Sequence, residues 1–187
     1  MFGQEVVNSM DVSKPKSLAH SIEYLYDHLN ITHPSELDMF YIAEKFSLNI
    51  HLFPIQSRTF KKDSVYYIII DSRYPQKQWQ DFGHEIAHIF LHGWLPEIIN
   101  YGGNQLFLTN QFIQYQEIKA DLFSYEFCIP TFMLRKMEIP NHVQRAASYI
   151  AEQFCVTNEF AYKRLNRLKQ NMIKSNIANI MGWEEII

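Results

Sequence analysis

The segment His84-Glu85-Ile86-Ala87-His88 constrains this chain more than any other stretch. On an α-helix, residues four apart lie one above the other on the same face. Two imidazoles held that way can grip one zinc ion, and a carboxylate beside the first can serve as base toward an attacking water. The helix itself is legible. Trp79, Phe82, Ile86, Ile89 and Phe90 recur at helical spacing and form a stripe to be buried beside the histidines.

A match of this length also arises by chance, and its bland reading is a helix with two ordinary histidines. A second feature weighs against that reading. Glu117-Ile118-Lys119-Ala120-Asp121 lies in a stretch, Gln111 to Cys128, that reads as a helix. Its apolar members are Phe112, Tyr115, Ile118, Leu122, Tyr125 and Ile129. A catalytic zinc takes three protein ligands and keeps one position open. Glu117 can supply the third, and Asp121, four residues on, shares its face. Metal-bound histidines usually donate their other ring N–H to a carboxylate or carbonyl, and Asp121 is placed to accept from His84. His92 is excluded as a partner of His84, because eight residues of helix span about 12 Å. With Gly93 behind it, His92 reads as a helix C-cap or rim residue.

The two strings together, FGHEIAHIFLHG and QEIKADLFSYEFCIP, resemble the ImmA/IrrE metallopeptidases. These are small zincin-like proteins of phages, integrative elements and some bacterial stress-response systems. The positions that carry the resemblance are His84, Glu85, His88, Leu91, His92, Glu117, Ala120, Asp121, Phe123 and Pro130. It extends from about Ser35 into the C-terminal helices. Ser124 and the pair Phe127-Cys128 depart from the family's usual residues, but none of them is a proposed ligand. The resemblance implies an α+β, zincin-like fold with a short sheet packed on the two motif helices and a helical C-terminal part. It implies a zinc endopeptidase with His84, His88 and Glu117 on Zn²⁺, Glu85 as catalytic base and Asp121 behind His84. In the phage branch the protein substrate is a helix-turn-helix repressor, whose cleavage relieves repression. The chain ends at Ile187 without room for an added sensor domain, which favours that branch. Tyr66, Tyr67, Tyr101 and His142 are candidates to stabilise an oxyanion, and the sequence does not choose among them.

Composition bounds the rest. One domain, residues 1–187, is expected for 187 residues, with 1–15 a flexible tail and 131–187 a helical subregion. A hydrophobic fraction of 47% is ample for a core. A net charge of −3 sets up no overall attraction to nucleic acid. Cys128 and Cys155 lack C-x-x-C spacing and read as buried free thiols of an intracellular protein. The N-terminus lacks the basic start and apolar core of a signal peptide, and no apolar run approaches the ~20 residues that span a bilayer. The cytoplasm is the expected location.

Along the chain, Leu18 to Leu29 has helical periodicity, and Pro34 opens a second helix to about Phe46. Asn49–Ile55 and Val65–Ile70 read as strands, with Ser57–Ser64 a basic, polar loop between them. Leu95–Asn110, with Gly102-Gly103 and a short LFLT strand candidate, is a loop region near the site. Helices broken at Pro130 and Pro140 complete the chain. A strand beside the metal could pair with an extended substrate backbone.

Two other functions are weighed against the peptidase. Residues 151–168 resemble a helix-turn-helix, with Thr157 as an N-cap and Lys163, Arg164, Arg167, Lys169 and Lys174 as a basic face. Ala161, Leu165, Leu168 and Met172 form an apolar stripe in the same segment, and such a charge run is usually a solvated face. DNA contact is therefore not expected. The other alternative is a non-proteolytic regulator that keeps the zinc fold and binds a repressor or a toxin–antitoxin partner.

Overall fold

A computed structural model of the chain describes residues 17–92 and 110–181. The N-terminal tail, Tyr101, the Gly102-Gly103 pair and the LFLT segment lie outside the described residues. The architecture is α+β, a three-stranded sheet against a mostly helical body.

Helix α1 (Leu18–His28) is capped by Ser17, whose hydroxyl accepts from the His20 amide at 3.4 Å. It buries Ile22, Leu25 and Tyr26, and the Tyr26 hydroxyl donates to the Phe127 carbonyl at 2.7 Å. The helix expected from Pro34 to Phe46 is two pieces. Pro34–Glu36 is a single 3₁₀ turn, closed when the Glu36 carboxylate accepts from the amides of Thr32 and His33. Leu37 is extended, and Asp38 then caps α2 (Met39–Lys45) by accepting from the Phe40 and Tyr41 amides. Two competing caps within a few residues split what apolar spacing alone reads as one helix.

The sheet holds β1 (Asn49–Phe53), β2 (Arg58–Lys62) and β3 (Val65–Asp71) in the order β1-β3-β2. β1 runs parallel to β3, and β2 runs antiparallel to it. The basic loop expected at Ser57–Ser64 is thus a strand plus a two-residue turn. Asp63 (φ 50°) and Ser64 (φ 63°) both adopt the left-handed conformation that a type I′ hairpin requires. Residues of Asx and Ser type tolerate it better than most.

One face of the sheet, with Ile68 and Ile70 fully buried, packs on α3 (Gln78–His92). Helix α3 lies against α4 (Asn110–Cys128) at Gly83. A methyl there would run into the Cys128 sulfur and come within 3.3 Å of Phe127. Only a residue without a side chain permits so close a crossing. The Trp79 indole donates to the Cys128 carbonyl at 3.2 Å and pins the same crossing. The buried face of α4 differs from the one its apolar residues suggest. Tyr115 and Ile118 are 53% and 56% exposed, whereas Ala120, Phe123, Ser124 and Phe127 are buried. The face opposite Gly83 is set by small and aromatic residues that can meet a close neighbour, so hydrophobicity alone misplaced it.

Helices α5 (Thr131–Leu134), α6 (Val143–Gln153) and α7 (Asn158–Met181) follow, with Pro130 at the N-cap position of α5. Cys155 holds the turn between α6 and α7 with φ 52°, and it is exposed, not buried as composition suggested; Cys128 is buried. The basic face expected on α7 is incomplete. Arg164 is buried, its guanidinium 2.6 Å from Glu126, and Lys163 pairs with Glu159. Ala161 is buried and Leu165 and Leu168 pack on the core, so this side of α7 faces inward. Among the described residues no helix is long and apolar enough to cross a membrane.

Candidate metal centre

The α3–α4 crossing at Gly83 decides what faces what one residue further along. His84 looks across at Asp121 and Glu117 on α4, and His88 stands one turn beyond it. The two imidazole Nε2 atoms are 3.1 Å apart. Glu117 brings one carboxylate oxygen to 3.2 Å from His84 Nε2 and the other to 3.8 Å from His88 Nε2. Donor atoms of the three residues all lie within 4.8 Å of one another. On the far side of its ring, His84 Nδ1 is 3.0 Å from Asp121 Oδ1. His84 and His88 are partly buried, whereas Glu117 and Asp121 are more than half exposed.

These spacings fit a single ion. Donors bound tetrahedrally at about 2 Å stand roughly 3.3 Å from each other. Two imidazoles and a carboxylate are a donor set that suits zinc and several other first-row metals. The electrostatics agree. Burial works against a charged His84 ring, but the Asp121 hydrogen bond and the carboxylates of Glu85, Asp121 and Glu117 outweigh it and raise the His84 pKa. Three acids around two imidazoles, with no Lys or Arg paired to any of them among the described residues, make a place that favours added positive charge.

Glu85 sits beside the cluster and is only 8% exposed. Burial pushes its carboxyl up to about 7, opposed by a hydrogen bond from Thr59 and by the charge of His84. The Thr59 hydroxyl also reaches the Glu85 main-chain carbonyl at 3.1 Å. A carboxyl poised near neutrality can both accept and return a proton. Sequence reasoning missed Thr59 because it lay in a presumed loop. The available signal was the Asp63-Ser64 pair between RTFKK and VYYIII, which marks a hairpin.

The other sequence candidates divide. Tyr67 stacks between His51 and Phe60 on the sheet face turned away from α3, so it does not face the cluster. Tyr66 belongs to the alternate, α3-facing side, opposite Lys61. His142 occupies the N-cap position of α6. His92 is the last residue of α3.

A fold of this kind, with an H-E-x-x-H helix and a glutamate helix crossing beside a small sheet, is that of a zincin-like peptidase domain. The chain belongs to the M78 peptidase family, matching its IrrE N-terminal-like domain over residues 43–166, which include every residue of the cluster. It is 38% identical to the phage-like element PBSX protein XkdA of Bacillus subtilis strain 168 over 157 residues, 82% of this chain and 75% of that protein. It is 32% identical to the uncharacterized protein YqaB of the same strain over 162 residues, 84% of this chain and 89% of that one. The family implies a protein substrate and a bound metal.

Proposed function

We propose that the protein is a zinc-dependent endopeptidase of the cytoplasm, a single domain that cleaves a helix-turn-helix repressor and so relieves repression of phage or mobile-element genes. The observation that carries this reading is the convergence of His84, His88 and Glu117 beside a buried Glu85 whose carboxyl stands near 7. Kinship with a protein named for a phage-like element supports the regulatory setting.

His84, His88 and Glu117 would hold Zn²⁺. When bound, the ion supplies Lewis acidity, which polarises a peptide carbonyl and makes a water easier to deprotonate. Glu85 is the base. It takes the proton of the attacking water and hands it to the departing amine. Asp121 accepts from His84 Nδ1, which turns Nε2 toward the cluster and fixes the tautomer. Thr59 holds the Glu85 turn of α3 against the sheet.

The test is incubation of the full chain with candidate helix-turn-helix repressors, with and without a chelator, alongside a zinc measurement. Chelator-sensitive cleavage is expected. Glu85→Gln should retain the metal and lose turnover by at least about 10²–10⁴-fold. Turnover retained in that variant removes Glu85 from the base role. Repressor bound but uncut by the zinc-loaded chain would favour the non-proteolytic regulator. A salt-sensitive shift of duplex DNA would favour the DNA-binding alternative.

A further inference from the structure

Helix α4 is apolar on two faces. One is buried against α3 and the core, through Ala120, Phe123 and Phe127. The other carries Tyr115, Ile118, Leu122 and Tyr125, at steps of three, four and three residues, which is the spacing of a helix-packing seam. Tyr115 is 53% and Ile118 56% exposed, and Leu122 and Tyr125 are half-buried. Cations border this stripe. The Lys119 ammonium lies 5.3 Å from the centre of the Tyr115 ring. At the other end Tyr125 packs on Phe160 of α7, with ring centres 4.7 Å apart. Lys163 and Arg167 of α7 lie close enough to oppose the upward pull of burial on the Tyr125 hydroxyl pKa. From Phe160 to Met181 the chain has Lys163, Arg164, Arg167, Lys169 and Lys174 and no acid. Arg164 is turned inward to Glu126 and Lys163 pairs with Glu159, whereas Arg167 and Lys169 are exposed.

A lone exposed apolar side chain is ordinary. Two neighbours on one stripe, in register with two more, make a patch that gains by leaving water. Seam spacing suits a helix laid alongside, because the apolar rows of two helices interdigitate. The bordering cations select the sign of that helix. We propose that an acidic amphipathic helix of a protein partner docks along the outer face of α4. Its apolar row covers Tyr115, Ile118, Leu122 and Tyr125, and its flanking acids stand by Lys119 and Arg167. The stripe runs about 15 Å, roughly three turns, a length that an ordinary helix of a globular protein matches. Ile118 directly follows Glu117 in the chain, so the docked helix lies beside the metal cluster. The partner is thus held by a folded part while another part can reach the metal. That the partner is then cut rests on the peptidase reading above; the docking itself does not.

Three fluorescent peptides of equal length test this, each stapled on its outer face so that it stays helical. All carry Leu at the a and d positions of every heptad, with Glu, Gln or Lys at the flanking e and g positions. Binding to the full chain is read by anisotropy. The Glu peptide should bind about tenfold tighter than the Gln peptide, the sum of a few exposed charge pairs, with the Lys peptide weakest. The gap should narrow as salt rises. Tyr115→Ser/Ile118→Ser should weaken the Glu peptide at least about tenfold, with melting temperature and zinc content unchanged. Should that variant melt early, Ile118→Gln alone should weaken binding in the same direction. Lys119→Glu/Arg167→Glu should invert the order and rescue the Lys peptide, which shows at once that the variant is folded. Equal binding of the Glu and Lys peptides, or binding that the stripe variants leave intact, overturns the proposal. So does self-association of the chain that Ile118→Gln abolishes, which makes a second copy the occupant. Displacement of the Glu peptide by duplex DNA or by anionic vesicles also overturns it, by assigning the cations to phosphates. Cleavage of repressors is scored separately. A chain that selects the acidic helix but cuts nothing upholds the docking and fails the peptidase reading; cleavage without that selection does the reverse.

Discussion

Helix α4 carries two glutamates nine positions apart, and they live in opposite physical worlds. Glu126 is 8% exposed at its side chain and fully answered. The Arg164 guanidinium lies 2.6 Å from one oxygen, and the Thr131 amide and hydroxyl donate to the carboxylate at 2.8 and 3.0 Å. Arg164 also donates to the Ile129 carbonyl. Burial there lowers the Arg164 pKa, and Glu126 works against that shift. Glu117 is 52% exposed and faces two imidazoles, with Glu85 and Asp121 as further acids close by. One region is closed, with charges cancelled inside the protein. The other gathers negative charge and donor atoms near the surface, with no Lys or Arg paired to them among the described residues. A buried acid with every bond made is structure; an exposed acid that converges with other donors is a candidate site.

Four experiments would break or sharpen that contrast. The largest effect is expected from Arg164→Ala, which strands Glu126 in the interior. Removing one partner of a buried pair costs about 3–5 kcal/mol, read by denaturant unfolding. Replacing both Arg164 and Glu126 by apolar residues should recover much of the loss. If the single variant is neutral, the pair is no lock.

The open side should show itself next, in a pH scan of the metal-free chain. The Glu85 carboxyl stands at about 7, above its ordinary 4.5, so the folded protein holds that proton more tightly than the unfolded chain does. Its stabilising contribution is complete below about 4.5 and is lost as pH rises through about 7, by up to about 3 kcal/mol. Glu85→Gln, neutral throughout, should flatten this part of the melting-temperature profile. An unchanged slope would mean that Glu85 is already ionised in the fold.

Asp121→Asn should cost about 10–100-fold in metal affinity, measured by competition with a chromogenic chelator, while unfolding in the absence of metal stays nearly unchanged. A large loss of stability would class Asp121 with Glu126 instead. Gly83→Ala touches both regions. The added methyl should overpack the helix crossing by about 1–3 kcal/mol and weaken metal binding in parallel, since it pushes α3 from α4. Stability lost without any change in affinity would uncouple the crossing from the site.

Much of this was legible in the residues. The spacing of His84 and His88, the Trp79–Phe90 stripe and the apolar run of β3 each follow from local periodicity, and each element stands where that periodicity puts it. Errors arose where a partner decides. Arg164 looked like one of several surface cations, because nothing in its own helix announces Glu126. Tyr115 and Ile118 looked like core residues, because the preference of α4 for a small, close-packing face comes from Gly83 on another helix. Arg58–Lys62 looked like a loop, because its charges mask a strand that only β3 stabilises.

By itself, then, the sequence determined which atoms could bind a metal and that two of them share a helix face, because helical repeat and donor chemistry are local properties. The tertiary structure alone decided that Glu117 and Asp121 meet His84, that Glu85 is buried deeply enough to hold a proton near neutrality, and that a basic strand borders them. Those outcomes depend on how closely two helices approach and on which face of a sheet they cover, and such distances arise only when segments far apart in the chain exclude water together.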